Sequence, residues 1–193
     1  ITLKAFMPNR LKDYLEEITE SGNFEKEVVL SFLQRADQDN LTRDENPQTH
    51  FCVYFAAYDP STKGVFIGHH KKSGLWLFNG GHIDKGEMPP EALKREIDEE
   101  WGIEVPFEGL RPGLLTIAEI EERPKLFCRR RYDIWYFINL DSSKANFDQG
   151  KLDTEFYETH WLSTAEALRL VIDPSTIKGI RFLENKFSGW NLS

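Results

Sequence analysis

The chain has 193 residues, 40% of them hydrophobic, with a formal net charge of −8 and a pI near 5.2. That length can bury one substantial core and is most economically a single domain with a modest extension. The acidic balance argues against nonspecific binding to nucleic acid or to an anionic membrane, because both reward a basic surface, and a phosphate substrate would need local positive charge or metal. No apolar run approaches the roughly 20 residues of a membrane span, and the opening residues lack the apolar stretch of a signal peptide, so a cytoplasmic protein is expected.

In chain order, Leu11, Leu15 and Ile18 repeat at helical spacing, Ser21-Gly22-Asn23 interrupts them, and Val28, Val29, Phe32 and Leu33 resume the pattern. Two short helices are predicted. Residues 37–49 are polar and contain a proline, which reads as a linker, so residues 1–45 form a helical N-terminal extension and residues 46–193 the main domain. His50 to Tyr58, rich in aromatic and β-branched residues, then Asp59-Pro60-Ser61-Thr62-Lys63-Gly64, then Val65 to Gly68 suggest a hairpin. A helix over residues 88–101 follows, and Leu114–Ile120 and Phe127–Leu140 read as a second hairpin turning around Glu122-Arg123-Pro124-Lys125. Residues 141–156 read as a polar loop able to reach a site, and Tyr157–Leu162 as a short strand. Ser163 or Thr164 can cap a helix to about Ile172, and Asp173-Pro174-Ser175 starts a last helix toward Phe187. The mixture of strands and helices predicts an α/β sandwich.

Chemistry concentrates in residues 81–103. Glu96, Glu99 and Glu100 stand at i, i+3 and i+4, so their side chains are neighbours on one helix face and repel by roughly 0.2–0.5 kcal/mol per pair, a cost that a bound divalent cation reverses. Gly80 and Gly81 precede them and would let the backbone take φ > 0 and approach a ligand closely, with a carbonyl free to coordinate. Pro89 and Pro90 suit a first helical turn, and Gly102 suits its C-terminal stop. Arg95 reads as a structural partner of Glu87. Cys52 and Cys128 belong to no CxxC pair and no Cys/His zinc pattern and read as reduced, structural thiols, and with no Cys or His partner at zinc spacing neither His82 nor His160 reads as a good metal ligand. The basic run His69-His70-Lys71-Lys72 can meet phosphate or simply be solvated. Arg129, Arg130 and Arg131 alternate across a strand, so at most two share a side. Trp76, Phe78 and Trp101 can stack a base or pack in the core.

Together, Gly81, Glu87, Arg95, Glu96, Ile97, Glu99, Glu100, Gly102 and Ile103 fill every specified position of the signature of the Nudix hydrolases, which this segment resembles. A chance match is on the order of one in ten million at average residue frequencies. The resemblance implies a Nudix-like α/β/α sandwich with a mixed sheet. It implies hydrolysis of a nucleoside diphosphate linked to another moiety, with Mg²⁺ or Mn²⁺ as cofactor. Glu96, Glu99 and Glu100 then become metal ligands and catalytic residues, the Gly80 carbonyl a further ligand, and Gly81, Glu87, Arg95 and Gly102 structural support. Glu96 acts as the base in some members. One more catalytic glutamate comes from a late loop, with Glu155 preferred over Glu158 and Asp153. Lys72, Trp76, Arg129 and Arg131 are candidate substrate contacts. The implied partner is a small nucleotide-like diphosphate, with a homodimer possible. Nucleotide sugars, ADP-ribose, dinucleotides, dinucleoside polyphosphates and noncanonical nucleoside triphosphates all suit the same helix. Asn79-Gly80-Gly81-His82 lacks the proline frequent before the two glycines, which bears on pocket shape. Two alternatives stay open: a nucleotide-sensing domain without turnover, and a prenyl diphosphate isomerase, which would need a catalytic cysteine and an altered motif.

Overall fold

A computed structural model describes residues 10–120 and 128–189. The elements are α1 (Arg10–Ser21), α2 (Lys26–Ala36), β1 (Thr49–Asp59), β2 (Gly64–His70), β3 (Trp76–Leu77), β4 (Asn79–His82), α3 (Pro89–Trp101), β5 (Leu114–Glu119), β6 (Arg130–Asn139), α4 (Gln149–Glu155), β7 (Phe156–Ser163), α5 (Thr164–Leu170) and α6 (Pro174–Gly189). The turn expected around Glu122–Lys125 lies outside the described residues. Among those described, no helix is long and apolar enough to cross a membrane.

Seven strands form one mixed sheet in the order β3-β2-β1-β6-β5, with β4 beside β1 and β7 beside β2. The central strand β1 runs parallel to β6 from Thr49↔Arg130 to Tyr58↔Asn139. Its other edge is divided: Tyr58 and Asp59 pair with the start of β2, whereas Cys52 to Phe55 pair antiparallel with β4. Side-chain alternation sends Phe51, Val53, Phe55, Tyr132 and Ile134 into a core shared with α1, α2 and α3. It sends Ala56, Tyr58, Trp135 and Phe137 into a second core with α5 and α6. Burial on both faces explains why β1 reads as a nearly continuous apolar run rather than an alternating one. The α/β/α sandwich follows.

Leu11, Leu15 and Ile18 of α1 are buried against the same core as α3. The polar stretch after α2 is pinned to the sheet. Buried Arg35 donates to the carbonyls of Asn40 at 2.6 Å and Thr49 at 2.8 Å, and the Phe51 amide donates to the Leu41 carbonyl at 3.0 Å.

Within residues 141–156 the expected loop contains a helix. The Asp148 side chain caps α4 by accepting from the Lys151 amide, and Leu152 supplies its buried contact. The Asp148 amide also donates to the Trp101 carbonyl at 2.8 Å, so α4 begins against the end of α3. Periodicity missed α4 because Leu152 is the only apolar residue in two turns. Trp101 and Phe78 are buried in the two cores, in keeping with the packing reading.

Candidate active site

Helix α3 is built to hold its acidic face in place. Pro89 and Pro90 occupy its first turn, the Glu91 carboxylate accepts from the Met88 amide at 2.7 Å, and Gly102 ends it at φ 61°. Ala92, Leu93 and Ile97 are buried against the sheet. The role expected for Gly80 and Gly81 needs correcting. Neither has positive φ; both lie in extended strand β4. Glycine is required there by crowding: a Cβ on Gly80 would sit 2.6 Å from the Val53 carbonyl oxygen, and one on Gly81 would overlap the Glu96 carboxylate.

Arg95 orders the segment before the helix. Its guanidinium donates two 2.8 Å bonds to Glu87, one of 2.9 Å to the His82 carbonyl and one of 2.7 Å to Glu96. Glu87 in turn accepts from the Asp84 amide at 2.9 Å. All three guanidinium nitrogens are engaged inside the protein, which fits a structural part rather than a substrate clamp.

A cavity of about 450 Å³ opens beside α3 and β4. Glu96, Glu99, Glu100 and Glu155 line it, together with Gly80, Gly81 and Asn79. Glu100 is half-buried. Burial, with the nearby charges of Glu96 and Glu155, raises its carboxyl to about 8 despite the hydrogen bond it accepts from Asn79. Burial also raises Glu96, against the pull of Arg95. Glu99 is more exposed and lies 3.5 Å from Arg95. The glutamates share the cavity, yet no three of them bring their oxygens within 4.8 Å of one another, as expected of mutually repelling carboxylates.

Glu155 arrives at the end of α4, held by Lys72 at 3.1 Å and by His70 at 3.4 Å. Its competitors lie outside the cavity lining: Glu158 pairs with His160, and the Asp153 carboxylate accepts from Gln149. Of the basic run, His70 and Lys72 line the cavity, whereas His69 stacks on Trp76 at 5.4 Å. Of the expected substrate contacts, Lys72 and Arg131 are brought together and two are not. Trp76 is held between His69 and His160, and Arg129 borders a separate hollow with Arg35 and Gln48. Arg131 lies over the Tyr54 ring at 4.9 Å and donates to buried Asp133 at 2.7 Å. Burial opposes its charge, but Asp133 outweighs burial and holds the guanidinium protonated.

Sequence reasoning missed Arg43, Tyr54 and Asn79, all in the lining. Arg43 was hidden in a stretch read as linker, Tyr54 in a strand read only as core, and Asn79 stands where a proline is frequent.

A family profile described as the NUDIX domain matches residues 48–183. The chain belongs to the NUDIX family. It is accordingly a Nudix-type pyrophosphohydrolase, an enzyme acting on phosphoanhydride bonds, and such hydrolases generally use divalent metal ions. The nucleoside triphosphatase NudI of Escherichia coli O81 is 31% identical over 121 residues, covering 62% of this chain and 79% of that protein. In fold it is similar to the E. coli dihydroneopterin triphosphate pyrophosphohydrolase, with a TM-score of 0.58 and 23% identity over 70% of this chain and 95% of that one. The C. elegans Ap4A hydrolase binary complex gives 0.54 and 16% identity over 72% and 98%. The NUDIX domain of Shewanella oneidensis NrtR, solved with ADP ribose, gives 0.54 and 13% over 72% and 88%.

Proposed function

We propose that this Nudix domain, residues 46–193, hydrolyses a phosphoanhydride of a nucleoside triphosphate or another nucleoside diphosphate-linked substrate, with Mg²⁺ or Mn²⁺ held by Glu96, Glu99, Glu100 and the Gly80 carbonyl. The observation that carries the reading is the cavity itself: hard oxygen donors on one wall, and Arg43, His70, Lys72 and Arg131 around the rest. The donor set fits such a cation, because ionising the Glu100 carboxyl is unfavourable in its surroundings and a bound cation would offset that cost. When bound, the metal supplies charge neutralisation at the diphosphate oxygens. The chain's own groups do the rest. Lys72 and Arg131 face the phosphates, Arg95 fixes Glu96 and the β4–α3 connection, and Glu155 takes the proton of the attacking water. Water adds to phosphorus as the bridging P–O bond breaks, leaving a nucleotide and a phosphate or pyrophosphate fragment. A nucleoside triphosphate is favoured by the likeness to NudI.

The test is a panel of nucleoside triphosphates, ADP-ribose and dinucleoside polyphosphates with Mg²⁺ or Mn²⁺, read by phosphate release after phosphatase and pyrophosphatase coupling. Triphosphates are expected to turn over fastest, and Glu99→Gln and Glu100→Gln to abolish metal-dependent turnover while remaining folded. Unchanged turnover in both variants refutes the assignment of the glutamates. Nucleotide binding without hydrolysis across the whole panel would mean a sensor instead.

A further inference from the structure

Both cysteines of the chain and two of its five histidines meet on the sheet, although they come from three separate segments. Among the described residues, His50, Cys52 and His82 are the only trio of histidine, cysteine or acidic residues whose donor atoms all lie within 4.8 Å of one another. Cys128 Sγ lies 4.0 Å from His50 Nε2 but outside that trio, so its thiol has to swing inward to join the other three donors. The backbone makes this convergence. His50 and Cys52 are alternate residues of β1 and share a face, the one opposite Phe51 and Val53. His82 is the antiparallel partner of Cys52 on β4, and Cys128 lies just before β6, whose Arg131 is the partner of His50. A linear search for zinc spacing fails because sheet pairing, rather than a short loop, brings the residues together, and the expectation that His82 lacks such partners is corrected accordingly.

We propose that His50, Cys52, His82 and Cys128 form a Cys2His2 site for a thiophilic divalent cation, zinc by chemical class, with a donor set unlike the carboxylates that line the same cavity as His82. Tetrahedral zinc is bound by two thiolates and two imidazoles. The orientation of His50 suits this use. Its Nδ1 lies 3.2 Å from the Asn46 carbonyl, so that nitrogen carries the proton and Nε2 keeps its lone pair toward Cys128. A backbone carbonyl fixing the tautomer in this way is the usual outer partner of a metal-bound histidine. The four residues also exclude the cations used by the glutamates, since thiolate and imidazole favour zinc over magnesium. On binding, each thiol gives its proton to solvent and the metal takes the sulfur lone pair, with no change of oxidation state. The site would tie β1, β4 and the segment before β6 together, fixing the strand that carries Gly80 and Gly81.

The experiment uses the full chain, freed of metal by chelation under reductant and titrated with Co²⁺ as a spectroscopic stand-in. One equivalent should give thiolate-to-cobalt charge transfer and the intense visible bands of tetrahedral cobalt. Zn²⁺ should abolish both, and excess Mg²⁺ neither. The charge-transfer band should persist in Glu99→Gln, which separates this site from the carboxylates. Zinc affinity in Cys128→Ser should fall by more than the roughly 10- to 100-fold that loss of an outer hydrogen bond costs a metal site. Cys52 is fully buried, so Cys52→Ser is read only if its melting curve shows a folded protein. The wild-type spectrum stands without any variant. No charge-transfer band in protein with two free thiols, a band unchanged in Cys128→Ser, or thiols found joined as a disulfide after gentle purification would each overturn the proposal.

Discussion

Gly81→Ala separates the placement of Glu96 from the stability of the fold. Gly81 lies in extended β4 without positive φ, so alanine meets no backbone penalty. Its methyl would overlap the Glu96 carboxylate. Ordinary carbon contacts need about 3.5–4.0 Å, so the carboxylate must withdraw by on the order of 1–2 Å. That movement breaks the 2.7 Å bond from Arg95, which keeps Glu87 and the His82 carbonyl. For a partly exposed charged pair the loss is about 1–2 kcal/mol, or roughly 2–8 °C in Tm for a domain of this size. A misplacement of about 1 Å can lower turnover on the order of 100-fold. The assay is kcat at saturating Mg²⁺ and nucleotide, beside a thermal melt. Gly102→Ala is the control: with φ at 61° and a Cβ that would sit 2.7 Å from Asp148 Cβ, it should cost stability first. If Gly81→Ala retains wild-type kcat, or loses it only in proportion to unfolded protein, the reasoning is refuted.

Burial gives Glu100 a carboxyl that ionises near 8 in the folded protein, whereas the unfolded chain ionises near the ordinary value of about 4.3. The unfolded state therefore releases its proton first, and metal-free protein should lose stability as pH rises from about 4.3 to about 8. Melting in chelator should show that fall, Mg²⁺ should reverse it, and Glu100→Gln should remove it. Asp59 accepts from the amides and hydroxyls of Ser61 and Ser142 at 2.6–2.9 Å. Burial alone would raise its carboxyl, but these bonds outweigh burial and hold it well below the usual carboxylate range. Asp59→Asn should cost about 2 kcal/mol, roughly 4–8 °C, at neutral pH. The gap between wild type and variant in parallel melts should narrow only as pH falls below the ordinary value of about 3.9 toward the depressed one. Glu155→Gln should slow turnover while divalent-cation binding persists in calorimetry; wild-type kcat would move the role to Glu158 or Asp153.

What the sequence discloses follows the range of the contacts involved. Helix α3 was legible because its periodicity, its proline start, its glycine stop and its acidic face are all local. The pairing of Glu87 with Arg95 was legible for the same reason, since both belong to one motif. Helix α4 was hidden because its capping aspartate sits in a polar run and it packs through one leucine. The glycines were recognised as necessary for the wrong reason: a glycine spared a clash with Glu96 looks, in sequence, like one spared a strained dihedral. Arg129 and Arg131 could not be told apart without a register. Both belong to one basic run, yet only Arg131 reaches the cavity.

The net charge of −8 poses a problem for an anionic substrate, and the fold answers it by assembly. Arg43 comes from the stretch after α2, His70 from the end of β2, Lys72 from the turn beyond it, and Arg131 from β6. Along the chain Arg43 carried no signal and the runs holding His70, Lys72 and Arg131 left their contact open, but around one cavity these basic groups face the glutamates of α3. Each already meets an acid: Lys72 and His70 hold Glu155, Arg131 holds Asp133, and Arg43 lies 3.8 Å from Asp44. The exposed Lys72 pair contributes little stability, so its ammonium can turn to a phosphate at small cost. Arg131 is fixed by a buried partner and keeps its charge in place whether or not substrate is bound. The cavity therefore combines one preset cation with one that exchanges partners. A phosphate that drew Lys72 away would leave Glu155 with its His70 contact alone, and its carboxylate would be open to the water it is proposed to deprotonate.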